Sequence, residues 1–596
     1  MKHTVTSFLA ALITSALLPV LPLSPWYIVS AQAQSAVVLE NLQFRGDTTL
    51  VRIPKMTVEG GNASKVEIEA FFDAQSLNTL AERLAKLSAR SISIPLIEVT
   101  QDLADSTGVT SYKDIVLRDI RNGVITEALL PSTVTSTKAK PGKSTLGNFE
   151  MTMADSVMRE TDLPLLLRFV YDKAKEGEAL KTAIAEQRIG KTLYRIGGEM
   201  TVSIANISLL DLKLRPLKQP LASFVPELQK QAQSPASDRG KASLGFAADL
   251  LTAMSYGHIE MNGFSMDGKP PGSTTPVTFT MDRLSGSGGG DQPGRFSMQG
   301  LRVAANDTRV SFGEFTLDGV DLSALWGVLR QYDGTTSSEL SSLDPRSFIP
   351  KLNVLRIVGV DIDVPDTRAV GQRIQAKLGL FETRMANFVG PVPANVGITL
   401  DGLTMTIPPD TKEKGLTDIL ALGYKSLDIA MRYDQVWDET TRTLKLNEFS
   451  LKSAGMFSAS AKTEIGNVGK EAFTLDKAVA AVAALGVSAK NLEVSVRNDG
   501  LFEKLLAQQA QLQKRKPDDV RAELAAGATL MAPLLLGDHP GAKLIGAALG
   551  KFIAEPKNIR IGAVAKGGGL GMADFVAVSD PRALLNKLDI TASANE

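Results

Sequence analysis

The 596-residue chain contains no cysteine. Disulfides, thiolate chemistry and attachment through a lipoprotein cysteine are therefore excluded. Histidine is scarce: only His3, His258 and His539 occur. Zinc sites want clustered His, Cys and carboxylate, and no such spacing is present. Aromatic residues make up 6% of the chain, against 50 glycines. That mixture suits many turns and light, elongated sheets better than one large globular core. A surplus of either charge is also missing, since Lys plus Arg and Asp plus Glu both number 65. Nucleic-acid binders carry a basic surplus because phosphate neutralisation drives their affinity, so nucleic acid is not expected as a partner. Long hydrophobic runs are absent after the start, and no later stretch approaches the roughly 20 apolar residues a membrane helix needs.

The start itself is distinctive. Met1-Lys2-His3 precedes an apolar run from Phe8 to Leu23, and Ala31-Gln32-Ala33 places small residues where a signal peptidase reads. Residues 1–33 read as a secretory signal peptide. Pro19, Pro22 and Pro25 interrupt the run, which favours cleavage over a retained N-terminal anchor. Export without disulfides points to the bacterial periplasm, ahead of secretion from the cell, and a chain this long can build its own cores. At about 150 residues per domain, three or four domains are expected. The expected division is a first α+β module over 34–230, a second over 242–410, a third β-meander module with a helix over 411–500, and a mainly helical region over 501–596.

The stretch Phe473-Thr474-Leu475-Asp476 is the reference unit. Phe473 to Leu475 reads as the end of a strand, and Asp476 as the N-cap of a helix, Lys477–Leu485, stopped by Gly486. A strand over Ala489–Val496 should follow, with Leu492, Val494 and Val496 on one face. Its words recur at Phe315-Thr316-Leu317-Asp318 before Asp321, more loosely at Phe72-Asp73 with Ser76, and at Asp162-Leu163-Pro164-Leu165-Leu166. A helix carrying an Asp near its start (Asp249, Asp418) also feeds a Tyr-led strand at Tyr256 and at Tyr424. These echoes suggest diverged internal duplication; short words of this kind also arise in any α+β protein.

Alternation predicts strands at Ala36–Leu42, Thr49–Ile53, Lys55–Glu59, Lys65–Phe72 and Ser91–Val99, with Pro95 marking an edge or a bulge. Ser76–Ser88 should be a helix with Leu77, Leu80, Leu84 and Leu87 on one face. Asn122-Gly123 is the strongest hairpin signal, following the run Tyr112–Ile120. Asp267-Gly268 reads as the turn after the related stretch at Tyr256. Gln231–Lys241, Asp267–Pro276 and Ser285–Gly294 read as linkers or loops. Residues 296–319, 352–364 and 397–407 should add strands. Between Tyr424 and Val468 the pattern predicts Leu427–Tyr433 running out, Asp434–Arg442 turning, Thr443–Leu451 returning and Gly455–Ile465 crossing again. Leu501–Lys514 reads as an amphipathic helix with Leu501, Leu505 and Leu512 on one side. Asp518–Leu536 and Gly541–Ile553 follow as helices, Asn558–Val564 as a strand, and Asp580-Pro581 as the start of a helix to Leu588.

Motifs for catalysis are lacking. Gly142-Lys143-Ser144 ends like a P-loop, but Thr137 stands where that pattern needs glycine. No G-x-S-x-G elbow accompanies His258, expected in a strand, or His539, expected in a turn. Gly567-Gly568-Gly569-Leu570-Gly571 does not fit G-x-G-x-x-G and reads as a loop. Asp518-Asp519 and Asp438-Glu439 are sequence neighbours whose side chains diverge, so a cap and a solvated turn are expected of them. Lys514-Arg515-Lys516 either touches anionic headgroups or forms a solvated helix end. No catalytic, cofactor-binding or metal residue is assigned, and the ligand-binding residues stay unknown.

The run Thr443-Leu444-Lys445-Leu446-Asn447-Glu448-Phe449-Ser450-Leu451 through Gly455 to Ala461 joins an alternating strand, a polar turn, glycine and a second alternating strand. This run, within residues 424–468, resembles the repeating β-units of AsmA-like envelope proteins of Gram-negative bacteria. The interleaved helices depart from that pattern. The resemblance implies an extended curved sheet with an apolar inner face and a link to envelope lipid handling; it implies no catalytic residues. The fold expected is α+β: consecutive curved antiparallel meanders with helices packed on the apolar face, and a helical C-terminal part. The function expected is a non-enzymatic periplasmic envelope protein binding lipid or another apolar ligand in a β-groove. The alternatives are a scaffold recruiting a partner by strand addition, or a hydrolase. Leu444, Leu446, Phe449 and Leu451 should line the inner face, although the odd step from Leu446 to Phe449 requires a bulge or a change of face.

Overall fold

The computed structural model describes residues 36–45, 48–70, 80–102, 106–140, 148–197, 199–224, 241–270, 273–290, 292–331, 348–366, 371–572, 574 and 581–596. The chain forms two compact units, one of residues 1–298 with 321–348, the other of 299–320 with 349–596. Both are antiparallel meanders carrying helices. The signal-like residues 1–33, the stretch Phe72–Asn78, the linker 231–240, Gly142-Lys143-Ser144 and Asp580 lie outside the described residues.

In the first unit, β1 (Val37–Arg45), β2 (Thr49–Glu59), β3 (Ala89–Asp102), β4 (Ser106–Arg121), β5 (Val124–Ala139) and β6 (Phe149–Asp162) pair in order. Two short strands then share each place: β7 (Lys181–Ile189) and β8 (Thr192–Ile196) against β6, and β9 (Met200–Ile204) and β10 (Asn206–Leu214) beyond them. β11 (Met254–Gly268) and β12 (Val277–Gly289) follow, and the unit's boundary falls within β13 (Gln292–Ala305). The Asn122-Gly123 hairpin forms as read, both residues having positive φ of 52° and 78°, the twist-matched geometry for a two-residue turn.

Several local expectations fail here for identifiable reasons. Lys65–Ala70 is a helix, α1, rather than a strand. Ser64 N donates to Glu67 Oε2 at 2.6 Å and Glu67 N to Ser64 Oγ at 3.3 Å. That reciprocal capping box starts a helix, and six residues are too few for alternation to outweigh it. Of the expected helix over 76–88, residues 80–88 are described: Leu80–Leu84 form α2, and 85–88 leave the helix in a turn. Pro95 lies within β3, where the ladder to β2 is interrupted between Ser93 and Glu98 while that to β4 resumes on either side, so it marks an irregularity inside the sheet rather than an outer edge. Ser285–Gly289 and Gln292–Gly294 belong to strands rather than a loop, the second to β13, Gln292–Ala305. Asp267-Gly268 ends β11 instead of turning, paired with Thr278 and Val277.

The helix α3, Leu163–Tyr171, begins at Asp162, whose Oδ1 accepts from Leu165 N at 2.9 Å, with a proline in its first turn. Its Leu165 and Phe169 enter a buried core with Ile120, Ile125, Ala128, Met158 and Ile184. Asp249 sits in the last turn of α4, Lys241–Thr252, not near its start. There it is buried and takes Arg215 Nη2 at 2.8 Å and Lys218 N at 2.7 Å. A further helix, α5, is Ser323–Gln331; Asp321 Oδ1 accepts from Ser323 N at 2.9 Å beside its start.

The second unit is a plain meander: β14 (Thr308–Val320), β15 (Val354–Pro365), β16 (Arg373–Val389), β17 (Val392–Thr406), β18 (Ser426–Asp438), β19 (Thr443–Ser453), β20 (Phe457–Gly466), β21 (Ser488–Asn498), β22 (Asn558–Ala565), β23 (Leu570–Gly571) and β24 (Leu588–Ala594). β16 and β24 form where no strand is expected, and Leu588, expected at the end of a helix, opens β24. β18 continues past Tyr433 to Asp438, so the following turn is shorter than Asp434–Arg442. Between strands lie α6 (Lys414–Ala421, with Asp418 mid-helix), α7 (Lys477–Leu485), α8 (Leu501–Leu512), α9 (Pro517–Leu536) and α10 (Pro540–Ala554); α11 is Pro581–Leu585.

Two readings change in this unit. Phe473 is not in a strand; it ends the short 3-10 turn Lys470–Ala472. Asp476 does cap α7, its Oδ1 accepting from Ala478 N at 2.9 Å and Val479 N at 3.2 Å. On α8 the buried stripe is Phe502, Leu506 and Ala510, while Leu505 and Leu512 face solvent. Both stripes repeat at helical spacing. The first wins because it meets Val520 of α9, and Phe502 meets the Phe552 ring of α10 at 5.8 Å.

Candidate functional site: the apolar sheet face of the second unit

Cross-strand partners share a face, so the registers show which side chains stand together. One row in the second unit runs Phe315, Ile357, Phe381, Leu400, Met431, Leu451, Ala459, Val496, Ile559, Ala594. It crosses ten strands, roughly 40 Å at the usual strand spacing. The next row is Leu317, Leu355, Thr383, Ile398, Tyr433, Phe449, Ala461, Val494, Ile561, Ala592. From Phe315 to Val496 the first row is half-buried; only its last two members, Ile559 and Ala594, are fully buried.

Strict alternation cannot keep strands this long apolar on one side here, because the apolar spacing is odd. Val360 and Ile357, Leu378 and Phe381, and Leu403 and Leu400 are each three apart. A seam of glycines resolves this. Gly313, Gly359, Gly379 and Gly402 lie at one level across β14 to β17, bracketed by the same registers. Gly359 and Gly402 have φ of 64° and 60°, which a side chain makes costly. Each strand steps its alternation by one residue at the seam, and the apolar side chains stay together. At β18 the seam ends in a register shift between Leu400 and Leu403.

In β19 the same problem is met by Asn447. The registers with both neighbours shift between Leu446 and Phe449, leaving Asn447 as the extra residue. Leu444, Leu446, Phe449 and Leu451 thereby share the face, as their odd spacing required. The first unit repeats the device. Pro95, Asp114, Pro131 and Asp155 stand at one level of β3 to β6, with Asp114 and Asp155 at φ of 56° and 52°. Their strands keep Ile94 with Ile97 and Tyr112 with Ile115 on one side, but there a buried core covers most of the face.

The face of the second unit is closed at two margins. Trp437 is buried at one strand end, its Nε1 donating to Val468 O at 2.9 Å and its ring 4.7 Å from that of Phe473. Ala394, Leu444, Ile465 and Val468 complete this plug. The reference stretch thus stoppers the face rather than ending a strand. At the other margin α10 covers the last strands, where Ala548, Leu549 and Phe552 pack on Val496, Ile559, Ile561, Ala592 and Ala594. The polar groups on the face include Thr383, whose hydroxyl is buried without a partner, Tyr433, which bonds Gln435, and Gln435 and Thr463, both paired with Leu446, the Thr463 hydroxyl donating to Asn491 O at 2.6 Å. Gln435 Nε2 in turn donates to Ala394 O at 3.1 Å, and burial raises the Tyr433 phenol.

The opposite face is ionic. Glu382 takes Arg356 and Arg384, each at 2.7 Å, and Glu464 takes Lys490 at 2.8 Å, which with Lys445 lowers its carboxyl. A shallow depression over Gly397 is lined by Glu382, Arg384, Arg432, Asp434 and Glu448 among others.

The other singled-out residues are not brought to either place. His258 lies in β11, its Nε2 3.2 Å from Glu260 Oε2. Glu260 also bonds Asn262 and Arg283, and these partners hold its carboxyl down to about 2. His539 caps α10, its Nδ1 accepting from Gly541 N at 3.0 Å. Asp438 accepts from Thr440 N and Thr441 N in an exposed turn, and Asp518 and Asp519 lie in the first turn of α9. Gly567 and Gly568 sit in a 3-10 turn, with Leu570-Gly571 pairing as β23. Arg515 is engaged by Glu523 at 2.5 Å. Among the described residues no cluster of three metal-ligating side chains occurs, and no helix is long and apolar enough to cross a membrane.

A family model described as "Uncharacterized protein" matches residues 450–595. Its match begins in β19 and takes in the α10-covered margin. No curated protein and no solved structure matches the chain.

Proposed function

We propose that this chain is an exported, non-enzymatic envelope protein that holds a lipid or another apolar ligand on the sheet face of its second unit. The observation that carries the reading is the row from Phe315 to Val496, apolar and half-exposed strand after strand. Apolar patches on soluble proteins rarely extend so far without a partner. The seam strengthens it, because the glycines at 313, 359, 379 and 402 keep the apolar side chains together where simple alternation would disperse them. A ligand there gains energy from buried apolar area, at roughly 25 cal/mol per Å².

The test is lipid extraction and native mass spectrometry of protein purified from the periplasm. The native chain should carry a phospholipid or fatty acid. Leu446→Lys places an unpaired charge on the face and should lose it while still folding. Ligand-free native protein, or a variant that keeps its ligand, would refute the site. Strand addition predicts instead a bound protein chain and no lipid in the same spectrum.

A further inference from the structure

We infer that the ligand of the sheet face carries an anionic headgroup, a carboxylate or a phosphate, and that Lys425 and Lys504 receive it. This rests on the reading of the face as a lipid site. Following the registers from β14 to β22, no Asp, Glu, Lys or Arg stands on the apolar side of any strand. An ionised group buried there would have no partner, at a heavy cost. Acyl chains can lie on such a face, but the charged part of an amphiphile has to stop at a margin. Trp437 and Phe473 fill the margin at one set of strand ends, and α10 covers the last strands. The other strand-end margin lies opposite Trp437.

Charge first appears at that margin. Lys425 stands two residues before Leu427, the partner of Met405, so it continues the apolar side of β18. Its carbonyl accepts from Ile407 N at 2.9 Å, which keeps it in the ladder, and the residue is exposed. Lys504 reaches the same corner from α8, which lies on the apolar side because its Phe502 ring meets Phe552 of α10. The Lys504 Nζ is 3.4 Å from the centre of the Tyr424 ring, and the Tyr424 hydroxyl donates to Gly455 O at 2.9 Å. The ring holds the ammonium in place without accepting its N–H donors in hydrogen bonds to oxygen. Among the described residues neither lysine has a carboxylate partner. The other charges at these strand ends are already engaged. Lys557, before β22, pairs with Glu555 at 2.6 Å. Asp366, after β15, is buried and has a partner. Glu503, beside Lys504, accepts from Asn498 Nδ2 at 2.8 Å. The corner therefore offers two ammonium groups next to the one place where a headgroup can leave the apolar face.

The experiment is titration of the full chain, followed by native mass spectrometry, with two matched pairs of probes. Oleate is compared with oleyl alcohol, and dioleoylphosphatidylglycerol with dioleoylglycerol. Within each pair the chains are the same and only the charge differs. The native chain should bind the charged member of at least one pair roughly fivefold tighter or more, and the pair that shows it names the headgroup as carboxylate or phosphate. In the double variant Lys425→Gln, Lys504→Gln that preference should vanish while the uncharged probes bind as before. Lys504→Arg keeps the charge and the stacking and should keep the preference, as should Lys452→Gln on the ionic face. Leu446→Lys should weaken the uncharged probes as well. Equal binding of charged and uncharged probes by the native chain overturns this assignment and leaves the sheet-face reading standing. So does a preference that survives in the double variant. Binding of none of the four probes refutes the sheet-face reading and this assignment with it.

Discussion

Replacing Phe473 with Ala tests whether the segment before α7 is a stopper on the sheet face. Phe473 is 9% exposed, lies 4.7 Å ring to ring from Trp437, and belongs to the cluster holding Ala394 and Val468. Truncating a buried phenylalanine costs about 3–5 kcal/mol, with the aromatic pair contributing about 0.5–1.5 kcal/mol beyond area. Phe473 sits on a turn that can relax, so a loss near the lower bound, about 3 kcal/mol, is expected. Trp437 is the natural reporter. In a Trp26→Phe, Trp326→Phe background it is the one remaining tryptophan, and its emission should shift to the red as its ring is uncovered. Urea unfolding followed at Trp437 should show the midpoint falling at constant slope. A loss below about 1 kcal/mol with an unshifted native emission would mean that Phe473 does not plug the face.

Asp476→Ala should cost about 0.5–2 kcal/mol, because two backbone N–H groups lose their acceptor; an unchanged urea melt would remove the capping role. Glu260 has its carboxyl lowered from 4.5 to about 2 in the folded chain. Its contribution to stability is therefore present above pH 4.5 and lost as pH falls towards 2. Urea midpoints across that window should drop less steeply in Glu260→Gln, and parallel curves would refute the linkage. His539→Ala should lower stability through the lost cap on α10, and His258→Ala should do little. Neither should alter co-purified ligand, and a functional defect at native stability would revive the hydrolase reading.

What the residues disclosed depended on how local the deciding interaction was. The caps at Asp162 and Asp476 and the turn at Asn122-Gly123 are settled within four residues, and they were legible. Lys65–Ala70 was misread because alternation was weighed above Ser64 and Glu67, a pair that spelled out the helix start. Phe473 was misread because its partner, Trp437, is remote in sequence. The choice between the two leucine-bearing stripes of α8 was equally remote, being made by α9 and α10. The seam is the instructive case. Each glycine alone looks like a weak spot in a strand, and each odd apolar step looks like noise. Only the register places Gly313, Gly359, Gly379 and Gly402 side by side and turns four irregularities into one feature.

Asn447 shows the same logic in a single residue. It is the one extra position of β19, exposed, with its Nδ2 donating to Asp434 Oδ2 at 2.8 Å. Side chains alternate with a period of two, so removing one residue reverses the facing of everything beyond it. Deleting Asn447 would therefore turn Phe449 and Leu451 to the ionic face and bring Glu448 and Ser450 onto the apolar one. The alternative for the chain is to slip β19 against β20 and lose pairs at the Ser453 end. Either route puts charge into the row or opens the sheet, so the deletion should lose bound ligand and lower the urea midpoint. Asn447→Ala keeps the residue count and removes one exposed hydrogen bond, a change of about 1 kcal/mol or less, and should keep the ligand. If the deletion retained ligand and stability while Asn447→Ala behaved like the native chain, the apolar face would not depend on register, and the row from Phe315 to Val496 would lose its claim to be a built site.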